Sequence, residues 1–370
     1  MRYFSALCCV TSIAFAAQSY TITPVGQLQF RFEDKSKDYT PLGALYLQDD
    51  GISYSDYIVG GTFGFKSSFD NYDLNSLLYG VGRLKDKDTN SLKNEKTFYA
   101  NNGDKFLYIG ELNIKRDFNT QSITIGRQSY KSNLVNDNYR ITKNSYEGLR
   151  YDYENQNFTL QSLYFNKIAS STLSNSVPFN HKYGFLGYGF GYDTSGFTTI
   201  SKHIINKDLS TDGAVHLLAR YGKEDKYISF ENLLVDDLFN TSSVVFAYNI
   251  NSIYLKAGAI YQTSIGDNHI EKYIESSQQG KSLKAKHYQS KIQYKKNKLK
   301  LTYTITYTPY DDDSIYQGTL FSPFSNHASW LRGLNTSHAI IADTVSQKFS
   351  ITDLVYIDKL PVLLSTAYVK

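Results

Sequence analysis

Apolar and polar residues alternate along most of this 370-residue chain. The clearest instance is LKLTYTITY, from Leu299 to Tyr307, in which leucine, isoleucine and tyrosine alternate with lysine and threonine. A period of two predicts a β-strand with one apolar face and one polar face. Similar segments recur from Leu28 onward, among them one from Phe197 to Ile204, and no shift in pattern marks a second domain. We therefore predict a single all-β unit of about 16 to 18 strands.

The connections between the predicted strands alternate in length. Residues 34–56, 86–104 and 263–283 form long loops, whereas residues 117–120 and 295–297 are tight turns. Long loops on one side and tight turns on the other are typical of bacterial outer-membrane barrels. In lipid every backbone N–H and C=O needs an internal partner, and a sheet meets that need only when it closes. The predicted fold is a transmembrane antiparallel up-and-down β-barrel whose N-terminus lies on the periplasmic side.

Residues 1–17 have the features of a secretory signal peptide. Arg2 supplies the positive charge, an apolar run follows, and Ala-Phe-Ala supplies the small-residue cleavage pattern. Cleavage after Ala16 or Ala17 leaves residues 18–370 as one barrel. Both cysteines precede that site, so we expect no disulfide or thiol chemistry in the mature protein.

The composition fits this fold and narrows the function. The chain has 33 Tyr and 22 Phe but only 6 Pro and 1 Met. Tyrosine suits a protein with two water–lipid boundaries, because its ring favours an apolar environment and its hydroxyl favours water. A tyrosine-rich soluble β-sandwich or solenoid is the alternative. The net charge of +4 is too small to indicate a nucleic-acid partner.

The central stretch from Thr120 to Tyr153 contains two predicted strands and a polar loop at about residues 129–145, which we expect to fold into the barrel. A barrel of this size holds water, and the groups at its narrowest point control what passes. We predict that this constriction is lined by Arg127, Lys131, Asp137, Arg140, Lys143, Arg150 and Asp152. For each of these residues, a charge that is simply solvated is the alternative. Strict alternation from Ile125 turns the side chain of Arg127 toward lipid. Either a β-bulge reverses the face of the strand at this point, or Arg127 lies above the membrane.

Three motifs in this stretch, GRQ at 126–128, NDNYR at 136–140 and SYEG at 145–148, resemble the third-loop region of the OprD family of outer-membrane porins. The resemblance is greatest to the epsilonproteobacterial members. It implies an 18-stranded channel with an inward-folded third loop, which takes up amino acids, peptides or sugars by facilitated diffusion. It also implies basic residues along one wall, a role that we match to Arg140 and Arg150.

Two features depart from the family pattern. The proline that is usual near Lys143 is absent, and the last predicted strand, LPVLLSTAYVK, ends at Lys370 without a terminal aromatic residue. We therefore expect one or two closing strands to be missing from this sequence.

The predicted function is a passive channel in the bacterial outer membrane, without cofactor, metal or catalytic residues. Its expected partners are outer-membrane lipid and lipopolysaccharide, small hydrophilic solutes and the outer-membrane assembly machinery, with the protein as a monomer or homotrimer. One alternative is a surface adhesin that binds through its long loops. Another is an outer-membrane hydrolase, but the seven histidines are scattered and no G-x-S-x-G motif occurs. We interpret Asp267 and His269 as an exposed pair and residues 311–313 as an acidic loop tip.

Overall fold

The computed structural model describes residues 20–35, 54–86, 105–136, 143–169, 197–205, 209, 213–266, 270–273, 280–297, 299–324, 330, 342–357 and 360–368. The predicted signal peptide, at residues 1–17, lies outside these ranges. Asp137 and Arg140 also lie outside them.

Sixteen strands and a few short helical segments make up the described part of the chain. The strands are β1 (Tyr20–Lys35), β2 (Tyr54–Phe69), β3 (Tyr72–Asp86), β4 (Lys105–Phe118), β5 (Gln121–Gln128), β6 (Ser145–Glu154), β7 (Phe158–Ala169), β8 (Thr198–Thr199), β9 (Ala214–Lys223), β10 (Lys226–Val235), β11 (Phe239–Ile250), β12 (Ile253–Ser264), β13 (Lys284–Lys296), β14 (Leu299–Thr308), β15 (Thr344–Ile357) and β16 (Leu360–Tyr368). The helical segments are α1 (Ile200–Ile205) and two 3₁₀ turns, Ile270–Tyr273 and Ile315–Gly318. In the described ranges, no helix is long and apolar enough to cross a membrane.

The strands form one antiparallel sheet in which chain neighbours pair from β1 to β16. Only the two-residue β8 leaves this path: it pairs with the end of β7, and β7 then pairs with β9. This is the predicted all-β, up-and-down topology, with fifteen strands on the main path among the described residues.

The two faces of the sheet differ in polarity, with the polar face buried and the apolar face exposed. Exposed large side chains include Ile125, Leu149, Tyr164, Val215, Phe230, Phe246, Tyr261, Tyr288, Ile292, Tyr303, Tyr307 and Phe349. Buried polar side chains include Glu111, Asn113, Thr124, His216, Glu231, Thr241, Gln262, His287, Gln289, Thr304 and Thr306. In water the exposed face would cost about 25 cal/mol for each Å² of apolar surface. Apolar outward and polar inward is the arrangement of transmembrane barrels.

Tight turns gather at one end of the sheet, as the loop lengths predict. Asp70, Asn119, Asn251 and Asn297 each have φ between 50° and 60° in these turns. Asn and Asp tolerate this left-handed conformation better than most residues, which explains their use here. The loops at the opposite end are long, except that residues 236–238 join β10 to β11 by a short turn.

One predicted strand is wrong. The alternation from Phe197 to Ile204 favours a strand, but only Thr198–Thr199 is extended and the chain then enters α1. Ile200 and Ile204 lie one helical turn apart and are both fully buried. A short apolar run of this kind fits a period of two and a helical period equally well.

Candidate functional site

The segment that follows β5 contacts the buried polar face of β9 and β10. The hydroxyl of Tyr130 lies 3.0 Å from Nδ1 of His216. Asn133 donates from Nδ2 to Oε2 of Glu231 at 2.9 Å, and the backbone N–H of Leu134 donates to Oε1 at 2.8 Å. The start of the third loop is thereby joined to strands that lie well beyond its own β5 and β6 in the sheet.

The Glu231 carboxylate is almost completely buried, with its side chain 3% exposed. A buried carboxylate is unfavourable by several kcal/mol unless it is paired and hydrogen-bonded. Here Nε2 of His216 lies 3.0 Å from Oε1 and adds to the two donors from the loop. Burial raises the pKa of Tyr130, and its neutral hydroxyl lies within hydrogen-bond distance of the other ring nitrogen of His216. These bonds hold residues 130–134 against β9 and β10.

Ser132, His216 and Glu231 have the residue types of a hydrolase triad but not its geometry. Oγ of Ser132 lies 3.3 Å from Nε2 of His216, the same nitrogen that contacts Glu231. A catalytic histidine uses one ring nitrogen for the nucleophile and the other for the carboxylate. Ser132 also donates to the carbonyl oxygen of Val135 at 2.8 Å. This hydroxyl therefore shapes a turn and is not set up for nucleophilic attack.

Arg150 and Asp152 of β6 lie on the opposite side of the third loop. Arg150 donates from Nε and Nη2 to Oδ1 of Asp152 at 2.9 and 2.7 Å. The guanidinium carbon also lies 5.1 Å from the centre of the Tyr130 ring. Gln161 adds a hydrogen bond to Asp152 at 3.0 Å. Two of the sequence-predicted site residues thus come together beside the loop.

Arg127 lies apart from that pair. It is opposite Leu112 on one side and Glu147 on the other, and the register of β5 continues through it without a bulge. Arg127 therefore has the same parity as the exposed Ile125. Its Nε lies 2.8 Å from Glu147, and its guanidinium carbon lies 4.2 Å from the centre of the Phe197 ring. Among the other predicted residues, Lys143 lies two residues before the start of β6, and Lys131 lines the cavity described below.

An inner apolar cluster fills the barrel near its long-loop end. Its members come from the third loop, β6, β7, α1, β9 to β13 and the loop after β14. Phe324 of that last loop contacts Phe165 of β7, with ring centres 5.3 Å apart. Gln262 of β12 holds Phe321 by two hydrogen bonds, to its backbone N–H at 2.9 Å and to its carbonyl oxygen at 2.8 Å. Described residues of the third loop, α1 and the loop after β14 therefore pack together in one cluster.

A cavity of about 640 Å³ lies on the tight-turn side of this cluster. Six basic side chains line it: Lys131, Arg220, Lys256, Lys291, Lys300 and Lys348. Glu231 is the one carboxylate among its described lining residues. The described lining of this cavity is therefore mostly positive in charge. Like charges on neighbouring strands destabilise a sheet unless something compensates for them.

Three of these lysines lie at one level across four adjacent strands. Lys256 is directly opposite Lys291, Lys291 is opposite Thr304, and Thr304 is opposite Lys348. Trp330, from the loop after β14, reaches the same level, with its ring 4.1 Å from Nζ of Lys256. We call Lys256, Lys291 and Lys348 the lysine row.

The lysine row is absent from the residues predicted from sequence. The signal was present, since each lysine occupies the polar side of an alternating strand, as Lys300 does in the segment LKLTYTITY. A lysine on the polar side of one strand is unremarkable by itself. Only the register of four strands shows that three of them share one level.

No protein-family model matches the sequence, and no curated protein does. Solved structures do match the fold. A BenF-like porin from Pseudomonas fluorescens Pf-5 is 11% identical, with a TM-score of 0.65 over 95% of this chain and 83% of that one. Pseudomonas aeruginosa OccK2 (OpdF) in complex with glucuronate is 10% identical, with a TM-score of 0.60 over 91% and 76%. Pseudomonas aeruginosa OpdK with vanillate is 12% identical, with a TM-score of 0.58 over 90% and 77%. This chain therefore shares the fold of transmembrane β-barrel porins.

Proposed function

We propose that this protein is an outer-membrane porin that forms a water-filled channel for passive diffusion of small hydrophilic solutes, with a preference for anions. The observation that carries the proposal is the cavity on the inner face, where six basic side chains face one carboxylate. The apolar outer face of the sheet supports a location in the bacterial outer membrane.

Electrostatics favours an anion in this cavity. A unit negative charge about 4 Å from one ammonium group gains about 1 kcal/mol in bulk water and about 4 kcal/mol at the dielectric of a protein surface. Several lysines at one level add to this attraction without enclosing the solute. A channel needs such binding, which is strong enough for entry and distributed enough for exit.

The ligands of two similar structures agree with this preference. Glucuronate and vanillate, which are named with OccK2 and OpdK, both carry a carboxylate. We propose small organic carboxylates as the solute class of the present chain. We also propose that it is an OprD-type porin, and the epsilonproteobacterial subtype remains a prediction from the third-loop motifs.

We propose that the third loop is folded inward and sets the narrowest point, together with Arg150 and Asp152. The bonds from Asn133 and Leu134 to Glu231 support this role. We propose that Arg127 braces β5 against β6, because its guanidinium pairs with Glu147. Lys131 and Lys143 remain proposed pore residues, and Asp137 and Arg140 remain predictions.

Solute uptake by proteoliposomes tests the proposal. We expect vesicles that contain the folded protein to take up glucuronate faster than glucose, which has similar size but no charge. Protein-free vesicles provide the baseline. Uptake of glucuronate no faster than this baseline would contradict the porin proposal and leave surface adhesion as the alternative function.

A further inference from the structure

Two lysines interrupt the apolar outward face of β13 near the long-loop end. Lys284 and Lys286 are exposed, and the next side chain on the same face is Tyr288. Tyr288 stacks on Tyr307 of β14 with ring centres 6.5 Å apart, and Tyr261 of β12 is directly opposite Lys286. Outward tyrosines at one level are typical of the aromatic girdle at a membrane–water interface.

The register fixes the depth of these lysines. Each residue of an antiparallel strand advances about 3.4 Å, so Lys286 lies about 7 Å beyond Tyr288 along β13. Lys284 lies about the same distance further on. In a barrel whose tyrosine level marks the edge of the apolar layer, both ammonium groups reach the level of lipid headgroups.

A small outward pocket is present at this level, with a volume of about 130 Å³. Its lining includes Tyr261, Lys284, Lys286, Tyr310, Asp311 and Gly318. The loop after β14 forms one wall and is bonded to β13: the N–H of Lys284 donates to Oγ of Ser314 at 3.0 Å, and the N–H of Ile315 donates to the carbonyl oxygen of Ser282 at 3.0 Å. The pocket is therefore formed before any ligand arrives.

Two lysines supply the positive charge of the pocket, and Asp312 lies beside it, where its Oδ1 accepts the hydroxyl of Tyr310 at 2.6 Å. Lys284 and Lys286 supply two positive charges, and Asp311 is the one carboxylate among the described lining residues. Oδ1 of Asp311 accepts the backbone N–H of Asp313 at 3.1 Å, an interaction that serves the loop itself. Gly318 has φ +94°, and a Cβ there would lie 3.0 Å from the carbonyl oxygen of Pro309. Glycine thus permits the sharp turn that closes the wall.

We propose that the outward pocket binds a phosphate group of an outer-leaflet glycolipid, the chemical class of lipopolysaccharide. The inference rests on the proposed function, because it requires the outward face to lie in an outer membrane. Lysine binds phosphate as a point charge, and charge-assisted hydrogen bonds of this kind are about twice as strong as neutral ones. The lysine stems would pack along the tyrosine rings, and the ammonium groups would reach the phosphate.

Native mass spectrometry of the folded protein in detergent tests this inference. The protein is titrated with diphosphorylated lipid A and, separately, with lipid A from which the phosphates have been removed. We expect the wild type to prefer the phosphorylated lipid, and the double variant K284Q/K286Q to bind it at least about tenfold more weakly. K291Q is the matched control, since Lys291 lies on the same strand but faces the cavity.

Equal affinity of the wild type and K284Q/K286Q for phosphorylated lipid A would overturn the inference and show that the lysines only reach toward water. Equal binding of the dephosphorylated lipid by the wild type would also overturn it. Folding of the double variant is checked by the heat-modifiable band that a folded barrel gives on a gel. If that band is absent, the single variant K286Q replaces the double variant in the titration. Channel recordings separate the two proposals: a conducting wild type without phosphate-dependent binding overturns the pocket but not the porin, and a non-conducting wild type overturns both.

Discussion

The backbone N–H of Leu134 donates a 2.8 Å hydrogen bond to the carboxylate of Glu231, a residue 97 positions away in the chain. This bond joins the third loop to the inner wall of β10. Because Glu231 also accepts from Asn133 and contacts His216, one buried carboxylate determines where the loop lies.

Replacing Glu231 with Gln should release the third loop. The amide keeps the shape of the side chain but replaces one acceptor oxygen with an NH₂ donor, so a loop donor loses its partner at a cost of about 1–3 kcal/mol. We expect larger open-channel current fluctuations in single-channel recordings. E147Q is the control, since Glu147 is paired with Arg127 away from the loop. Equal noise in E231Q and the wild type would show that the loop is held by other contacts.

Replacing Lys291 with Gln should weaken the preference for anions. Lys291 is the middle member of the lysine row, directly opposite Lys256. Loss of one ammonium group near the permeating ion should lower the anion-to-cation permeability ratio at least about twofold. The control K286Q changes a lysine of the same strand on the outward face and should leave the ratio unchanged. A ratio that changes equally in both variants would indicate a general charge effect.

Replacing Gly258 with Val should displace Trp330. A Cβ at Gly258 would lie 3.0 Å from the Trp330 ring, so a branched side chain leaves no room for the indole. Trp330 is the one tryptophan of the chain, and fluorescence excited at a wavelength that tyrosine does not absorb therefore reports on it alone. We expect a red-shifted emission and stronger quenching by iodide.

The matched control for this variant is G82V, because a Cβ at Gly82 meets no atom within 4 Å. Its emission should equal that of the wild type. An unshifted spectrum in the folded G258V protein would place Trp330 elsewhere.

Mild acid should loosen α1 from the loop after β14. Burial lowers the pKa of His203 to about 4, and its bond to the carbonyl oxygen of Pro323 opposes this shift only in part. The docked state therefore favours the neutral ring. The contribution of the neutral ring to the free energy of docking is fully present above the pKa of an undocked histidine, about 6.5. As the pH falls from there toward about 4, this contribution decreases by about 1.4 kcal/mol per pH unit. The protection factors of the α1 amides, which correct measured hydrogen exchange for its intrinsic pH dependence, should therefore fall over this range.

H203F isolates this effect. The ring of His203 stacks on Phe324 at 5.8 Å with an interplanar angle of 18°, a contact that phenylalanine can keep without titrating. In H203F, the protection of the α1 amides against hydrogen exchange should no longer decrease between pH about 6.5 and about 4. If H203F and the wild type respond equally to acid, another group controls the docking.

Much of the sheet could be predicted from residue alternation alone. The segment from Leu299 to Tyr307 is a strand with threonines inward and tyrosines outward, as its period requires. Arg150 and Asp152, two of the residues predicted from sequence, lie side by side on β6, and their role at a constriction stays a prediction. These successes depend on short-range periodicity, which a single sequence displays directly.

The remaining site depends on relations between distant segments. The contact of Leu134 with Glu231 and the shared level of Lys256, Lys291 and Lys348 arise from strand register, which no local pattern encodes. The helix α1 was not predicted, because the spacing of Ile200 and Ile204 fits the period of two of a strand as well as the period of 3.6 of a helix. Only packing against Phe324 and its neighbours decides between strand and helix there.

The reversal potential of single channels in a planar lipid bilayer, measured in a KCl gradient, tests the central claim most directly. Full-length protein refolded into the bilayer should give stable ohmic steps, with a reversal potential displaced toward the equilibrium potential of chloride. A reversal potential displaced toward that of potassium, or the absence of channels from folded protein, would contradict the account.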